Sequence, residues 1–241
     1  MNIDSWDTLD DEVRQLEFRT WLFRGHHDAT FELKTSFYRM LEDIEILIEK
    51  QKGKTLKLLK DQREKILLER FQSTAHLYIH HSLPNKGGSY ENRLEWNAIM
   101  QHYGTPTRLL DMTLSPYIAL YFALEAGSSD CCVIAFNHKI LTEFDKKGFG
   151  NDDYREEVFN NRKGSKSFII PFEPSIKTER LLAQQGLFLV PSTNYETFNY
   201  ILDLYDLGEE ACIKFLIPAS LRFEGIIRLQ RMNITTTALF P

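Results

Sequence analysis

A dense group of hydrogen-bonding side chains lies between residues 102 and 113. It contains an imidazole, a phenol, a guanidinium, a carboxylate and three threonine hydroxyls, carried by His102, Tyr103, Arg108, Asp111, Thr105, Thr107 and Thr113. An imidazole can transfer a proton, and a tyrosine ring can stack on a flat ligand. Because a simple connection seldom needs so many polar groups, the spacing indicates a binding or catalytic site, although His102 could instead cap a helix.

The flanking segments should hold this group near the start of a helix. A helical pattern over residues 91–100 leads into the group and should end at Gly104. Residues 108–110 are typical of a short buried strand, and Ser115-Pro116 predicts the N-terminus of a helix over residues 117–125. Free backbone N–H groups at a helix N-terminus attract anions, so the group is suited to a ligand that carries phosphate.

Arg24 is a second candidate for ligand contact. The run Trp21-Leu22-Phe23 predicts a strand that stops at Arg24 and Gly25, where the glycine could adopt a positive φ. A guanidinium is a planar fork that fits a phosphate or two ribose hydroxyls. The alternative is an ion pair between Arg24 and Asp111 or a neighbouring glutamate. Arg108 likewise lies close to Asp111 in sequence, which favours a structural pair between those two residues.

The order of the remaining patterns predicts an α+β fold with a mixed, largely antiparallel sheet core, surrounding helices and a helical insertion. We expect one domain over residues 1–241, in which a helical arm at about residues 40–80 is inserted and bends at Gly53. Residues 138–167, rich in polar residues and glycine, predict a loop or a mobile flap. Further strands are expected at residues 132–136, 168–170, 187–190 and 212–217, and further helices after Ser5 and over residues 195–207 and 221–233.

Composition excludes several classes of protein. The net charge of -5 and the pI near 5.8 argue against a protein that grips duplex DNA through a global basic field. The three cysteines form neither an even disulfide set nor a paired zinc motif, which favours a reducing cytoplasm. The acidic start and the lack of a long apolar run predict no signal peptide and no membrane association.

Two local features have both a functional and an ordinary interpretation. Seven basic and two acidic side chains fall within residues 50–65, so this part of the arm is either a solvated helix face or a contact surface for nucleic acid or an acidic partner. His76 and His80, with His81 beside them, have the spacing of metal ligands, but no cysteine or carboxylate accompanies them. We therefore expect no metal.

The motifs resemble those of the FRG domain family, named for a Phe-Arg-Gly motif. The resemblance is carried by residues 21–25 (WLFRG), 101–113 (QHYGTPTRLLDMT) and 119–123 (ALYFA), and it extends to residues 184–188 (QQGLF) and 239–241 (LFP). The central motif is long and specific. The order of the motifs is also similar to that of the ADP-ribosyltransferase fold, an analogy at the level of fold alone.

The resemblance implies roles for individual residues. Arg24 would hold the ribose or pyrophosphate of NAD, Tyr103, Thr113 or Tyr117 would lie beside the nicotinamide, and Gln185 would occupy the position at which that fold carries a late glutamate. An amide cannot balance an oxocarbenium charge, so Asp111 or Glu95 would have to supply the carboxylate. The expected catalytic residues are Arg24, His102, Asp111 and Gln185, and the expected NAD-binding residues are Arg24, Gly25, Tyr103, Thr105, Thr107, Arg108, Thr113 and Tyr117.

The sequence therefore predicts an NAD-dependent ADP-ribosyltransferase-like effector of the toxin or phage-defence type. It would use NAD as substrate, modify a protein or nucleic-acid acceptor, and be inhibited by an antitoxin. One alternative is a non-catalytic module of the FRG family that binds a nucleotide or a partner protein. The other is a protein that binds or cleaves RNA through the basic part of the arm.

Overall fold

The computed structural model describes residues 1–52, 60–80, 82–86, 89–150, 153–160 and 165–241. The helices are α1 (Trp6–Arg14), α2 (Ser36–Lys52), α3 (Lys60–Thr74), α4 (Tyr90–His102), α5 (Pro116–Leu124), α6 (His138–Phe149), α7 (Glu179–Ala183), α8 (Phe198–Asp203), α9 (Arg222–Arg231) and α10 (Thr236–Leu239). The strands are β1 (Trp21–His26), β2 (Leu110–Thr113), β3 (Cys131–Asn137), β4 (Ile169–Phe172), β5 (Gly186–Pro191) and β6 (Cys212–Ile217).

The six strands form one sheet in the order β4-β5-β2-β1-β3-β6, and neighbouring strands are antiparallel. Helices cover both faces of this sheet. On one face, residues such as Phe23 and Val133 pack with α1, α5 and α9. On the other face, residues such as Leu22 and Ile134 pack with α6 and α8. The predicted α+β class with a largely antiparallel sheet is confirmed.

The centre of the sheet is held together by unequal strand contacts. β1 pairs with β3 along its whole length, from Trp21 opposite Asn137 to His26 opposite Cys132. β1 pairs with β2 only where Phe23 lies opposite Thr113. Beyond that pair the two strands separate, and a gap opens in the sheet beside Gly25 and Asp111. Backbone groups at such a gap need other partners, and side chains supply them.

Local sequence determines where the helices flanking the gap begin. The Ser115 hydroxyl accepts a hydrogen bond from the Ile118 N–H at 3.3 Å, and Pro116 occupies the first turn of α5. Gly104 has φ 77° and ends α4, where the Thr105 N–H donates to the Met100 carbonyl at 2.9 Å. Ser5 caps α1 in the same way as Ser115 caps α5. These predicted helix boundaries are confirmed.

Three local predictions are wrong. Gly25 lies inside β1 and is absent from the residues with positive φ. The second strand begins at Leu110, so Arg108 precedes it and Asp111 lies within it. The interval from residue 138 contains α6, because the Asn137 side chain accepts a hydrogen bond from the Ile140 N–H and Leu141 is buried.

The described part of the predicted arm, α2 and α3, contacts the rest of the chain. The Phe71 ring of α3 lies edge-on to the Trp96 ring of α4, with centroids 6.4 Å apart, and Glu64 of α3 is buried. The predicted bend at Gly53 lies outside the described residues. So do His81 and the side chains of Lys50, Lys52, Lys54 and Lys57.

Candidate functional site

A cavity of 370 Å³ opens at the gap between β1 and β2. Its polar wall contains charged and hydrogen-bonding side chains from β1, β2, α4 and α7, namely Arg24, Gln101, His102, Asp111, Arg180 and Gln184. Its apolar wall contains Phe23, Ile99, Phe122, Ile176, Leu181 and Phe188. Such a combination of apolar surface with a few convergent polar groups is typical of small-molecule sites.

Arg24 spans the gap between the two strands. Its Nη1 donates to the backbone carbonyl of Asp111 at 2.8 Å and lies 3.9 Å from the Asp111 Oδ2. Its side chain is 22 % exposed. Burial lowers the pKa of Arg24, while the Asp111 carboxylate opposes that shift. The ion pair with Asp111, one of the two expected roles of Arg24, is thus present, and the guanidinium still lines the cavity.

His26 fixes the other edge of the Arg24 guanidinium. The Arg24 Nε donates to the His26 Nε2 at 3.0 Å, which requires that nitrogen to carry a lone pair. Burial, and then the charge of Arg24, lower the pKa of His26 to about 4. His26 is therefore a neutral acceptor at pH 7, and the positive charge resides on Arg24.

A chain of hydrogen bonds orients the Asp111 carboxylate. The Thr107 hydroxyl donates to the Gln101 Oε1, and the Gln101 Nε2 donates to the Asp111 Oδ1 at 2.7 Å. The Asp111 side chain is 67 % exposed, so a ligand in the cavity could reach it. The expected pair between Asp111 and Arg108 is wrong, because Arg24 and Gln101 are the partners of Asp111.

Arg108 lies away from the cavity, and its side chain is 2 % exposed. Its Nε donates to the Glu64 Oε1 at 2.6 Å, its Nη2 binds the other oxygen of Glu64, and its Nη1 donates to the Val158 carbonyl. Arg108 enters the turn before β2, so its side chain anchors that turn to α3. This arrangement favours the structural interpretation of Arg108 over ligand contact.

The remaining predicted site residues divide into two groups. Gly25, His102, Tyr103 and Thr113 line the cavity together with Arg24 and Asp111. Thr105, Thr107, Arg108, Tyr117 and Gln185 do not. The Tyr117 hydroxyl donates to the Asp10 Oδ1 at 3.1 Å, and its ring packs with the α1 side of the core.

Gln184 occupies the place in the cavity wall that the sequence assigns to Gln185. Gln185 has φ 46° and is exposed in the turn before β5, where its carbonyl accepts from the Leu114 N–H at 3.1 Å. The Gln184 carbonyl accepts from the Thr113 hydroxyl at 2.7 Å, and its Nε2 donates to the Leu239 carbonyl at 3.1 Å. A turn reverses side-chain direction within one residue, which sequence spacing alone does not reveal.

Gly25 lets helix α5 approach the strand closely. A Cβ atom on Gly25 would lie 1.9 Å from the Ala119 carbonyl oxygen and 2.7 Å from the Ala123 nitrogen. Both are backbone atoms and cannot move aside as the end of a side chain could. The glycine is needed for this close approach, which also brings Ala119 and Phe122 to the cavity wall.

Sequence reasoning missed several residues of the cavity wall. Gln101 and Phe122 belong to the quoted motifs, so their presence there was a usable signal. Thr178 and Arg180 of the α7 segment had no such signal. In the structure the Arg180 guanidinium lies over the Phe240 ring at 4.5 Å, and the described residues provide no carboxylate paired with it.

Glu95, the second carboxylate considered for the site, is turned away from the cavity. Its Oε1 accepts from both the N–H and the hydroxyl of Ser175 at 2.7 Å, and Glu95 is buried on α4. Asp111 is therefore the carboxylate that the described residues bring to the cavity wall.

Metal-binding clusters and membrane-spanning helices are both absent from the described ranges. Within them no group of three or more His, Cys, Asp or Glu side chains is arranged to hold a metal ion. No helix there is both long enough and apolar enough to cross a membrane.

Comparison with known proteins gives one match. The family model described as the FRG domain matches residues 19–131, whereas the quoted resemblance also included residues 184–188 and 239–241. No curated protein and no solved structure matches the chain. The matched segment contains β1, α4, β2 and α5, which carry Arg24, Asp111 and most of the cavity wall. This match shows that residues 19–131, a little under half of the chain, are similar to the FRG domain.

Proposed function

We propose that the chain binds NAD in the central cavity, cleaves the bond between nicotinamide and ribose, and transfers ADP-ribose to a protein or nucleic-acid acceptor. In this proposal it acts in the cytoplasm as an effector of the toxin or phage-defence type, under the control of an antitoxin. The observation that carries the proposal is the Arg24–Asp111 pair in the polar wall of a cavity whose other wall is apolar.

The charged and aromatic side chains around the cavity suit the diphosphate and the rings of NAD. Arg24 offers a guanidinium fork to the diphosphate, and Arg180 is a second cation at the cavity wall that has no carboxylate partner among the described residues. Phe122 and Phe188 offer aromatic surface to the nicotinamide ring or the adenine. A ligand with two phosphates and flat rings therefore matches both kinds of wall.

The reaction would follow from the position of Asp111. As the C1′–N bond breaks, its electron pair leaves with nicotinamide, and positive charge develops on the ribose. A carboxylate held by Gln101 can stabilise that charge without reorienting. The nucleophile of the acceptor then forms a bond to C1′ and loses a proton, for which His102 at the cavity wall is the candidate base.

In this proposal Asp111, one of the two carboxylates that the sequence offered in place of Gln185, stabilises the developing charge. Gln184 lines the cavity and can donate a hydrogen bond to a ribose hydroxyl, but it carries no charge. Gln185 has no part in this proposal because it is exposed outside the cavity. Of the expected catalytic residues, the proposal therefore keeps Asp111 and omits Gln185.

The decisive measurement is nicotinamide release from NAD, together with transfer of label to a cell lysate. Asp111→Asn keeps an oxygen for Gln101 but removes the charge, so we expect roughly a 100- to 1,000-fold loss of turnover. Asp43→Asn, an exposed substitution on α2, is the matched control and should keep full activity. Absence of nicotinamide release by the folded wild-type protein would contradict the proposal, and so would an active Asp111→Asn variant.

The non-catalytic module is the second candidate, since Arg24 is already satisfied by Asp111 and His26. It predicts saturable nucleotide binding without turnover in the same experiment. The RNA interpretation has less support from the described arm. Lys60 is buried over the Tyr38 ring, and the exposed Lys65 lies 3.9 Å from Glu69. Of these three basic residues, Arg63 is the one that forms no ion pair with another described residue.

A further inference from the structure

A second cleft, of 540 Å³, adjoins the central cavity at Arg24 and Gly25. Arg24 lies in the wall of both spaces, so a ligand could extend from one to the other past a single guanidinium. The charged and titratable groups of this cleft are Arg24, His26, His27, Glu32, Lys34 and Arg39. None of them except Arg24 was a candidate in the sequence.

Lys34 of the second cleft is paired with carboxylates. The Lys34 ammonium lies 2.9 Å from the Glu32 carboxylate and 3.0 Å from the Glu42 carboxylate. The Asp28 carboxylate accepts hydrogen bonds from the Thr30 N–H and hydroxyl. Two carboxylates surround Lys34, so its ammonium is not available to a ligand, whereas the Asp28 carboxylate keeps its negative charge and does not line the cleft.

Arg39 is the exception. Its Nη1 donates to the Lys34 carbonyl at 2.7 Å, which holds the guanidinium at the cleft wall. Among the described residues no carboxylate forms an ion pair with Arg39. Arg24 has only Asp111, at 3.9 Å, and His26 is a neutral acceptor.

Two guanidiniums thus lie in the cleft wall, and among the described residues only Arg24 of the two is paired with a carboxylate, at 3.9 Å. The pKa of Arg24 also reflects the nearby charge of Arg39. Burial lowers this pKa most, the Asp111 carboxylate opposes that shift, and the charge of Arg39 lowers the pKa further. Like charges held near each other repel, and an anion bound between them would relieve that repulsion. Guanidinium forks match phosphate oxygens in geometry as well as in charge.

We propose that the second cleft is the diphosphate subsite, in which Arg39 and Arg24 together hold the two phosphates while the nicotinamide ribose lies in the central cavity. This inference rests on the proposed use of NAD. It adds Arg39 as a binding residue that no sequence motif identified. Lys34 has no part in the subsite because Glu32 and Glu42 already pair with it.

The test uses ADP-ribose as the probe, because it keeps the diphosphate and lacks nicotinamide. Calorimetric titration at fixed ionic strength should give roughly 10- to 100-fold weaker binding for Arg39→Gln than for the wild type. Arg70→Gln on α3 removes the same charge from an exposed position outside both spaces and is the matched control, with unchanged affinity expected. Arg39→Lys, which keeps the charge but loses the fork, should give an intermediate loss.

The outcomes separate this inference from the proposed function. Equal losses in Arg39→Gln and Arg70→Gln, no loss in Arg39→Gln, or no binding of ADP-ribose by the wild type would each overturn the subsite. A wild-type protein that binds ADP-ribose through Arg39 but releases no nicotinamide would keep the subsite and remove the catalytic proposal. If Arg39→Gln changes neither nicotinamide release nor ADP-ribose affinity, the catalytic proposal is kept and the subsite is removed.

Discussion

Replacing Glu64 by alanine should destabilise the protein strongly, although Glu64 lies outside the cavity. Glu64 and Arg108 form a two-point ion pair whose side chains are 6 % and 2 % exposed. Asn194 also donates to the Glu64 Oε2 at 3.0 Å. The Arg93 and Arg108 guanidiniums lie over the same Phe159 ring, at 3.7 Å and 4.6 Å. Removal of Glu64 would leave these two cations close together without their shared carboxylate.

The magnitude follows from burial. An exposed pair contributes little, but breaking a buried pair from one side costs about 3 to 5 kcal/mol, because the remaining charge is desolvated and unpaired. A domain of this kind has a total stability of about 5 to 15 kcal/mol, so the loss is a large fraction of the whole. For a chain of this length it corresponds to a fall in Tm of roughly 6 to 20 °C.

Urea denaturation followed by tryptophan fluorescence would measure the free energy of unfolding. Glu69→Ala, on the exposed face of the same helix, is the matched control and should leave the unfolding midpoint unchanged within error. The double variant Glu64→Leu, Arg108→Met should be more stable than Glu64→Ala, because no charge is left buried. A loss below about 1 kcal/mol in Glu64→Ala, or a double variant no more stable than the single one, would refute the reasoning.

Two further predictions concern the centre of the sheet and pH. Gly25→Ala should lower the free energy of unfolding by at least about 1 to 3 kcal/mol and should also weaken ligand binding, because the added Cβ meets the α5 backbone. An unchanged midpoint in thermal unfolding would contradict the close approach of α5 to Gly25. Burial raises the pKa of Asp145 from 3.8 to about 6, so its contribution to stability is complete below pH 3.8 and is lost as pH rises through 6. Asp145→Asn should therefore stabilise the protein at pH 8 by up to about 3 kcal/mol. It should also flatten the dependence of the unfolding free energy on pH between 4 and 7. Identical pH profiles for the variant and the wild type would exclude this account.

Local chemistry made some features of the fold predictable. Ser115 and Pro116 mark the start of α5, and Gly104 marks the end of α4, because caps and left-handed glycines act within a few residues. Alternating and continuous apolar runs located the strands to within a few residues. The interval from residue 138 was misjudged, since its polar and glycine-rich composition obscured the apolar positions of α6.

The candidate site was predictable only in part, for a similar reason. Arg24, His102, Tyr103, Asp111 and Thr113 could be recognised as polar groups in the quoted motifs, and they line one cavity. Which partner each one takes was not predictable. Arg108 and Asp111 are three residues apart in sequence, yet they bind Glu64 and Arg24 respectively, because β2 begins between them and their side chains point in different directions.

The sequence by itself therefore determined most of the strands, the caps of α1 and α5, the α+β class and the motifs that resemble the FRG domain family. The tertiary structure decided the split between β1 and β2, the entry of Arg180 and Gln184 into the cavity, and the pairing of Glu64 with Arg108. It also brought Arg39 into one cleft with Arg24. The physical reason is range: capping and periodicity operate over one turn or one strand, whereas burial and charge pairing depend on residues that only folding brings together.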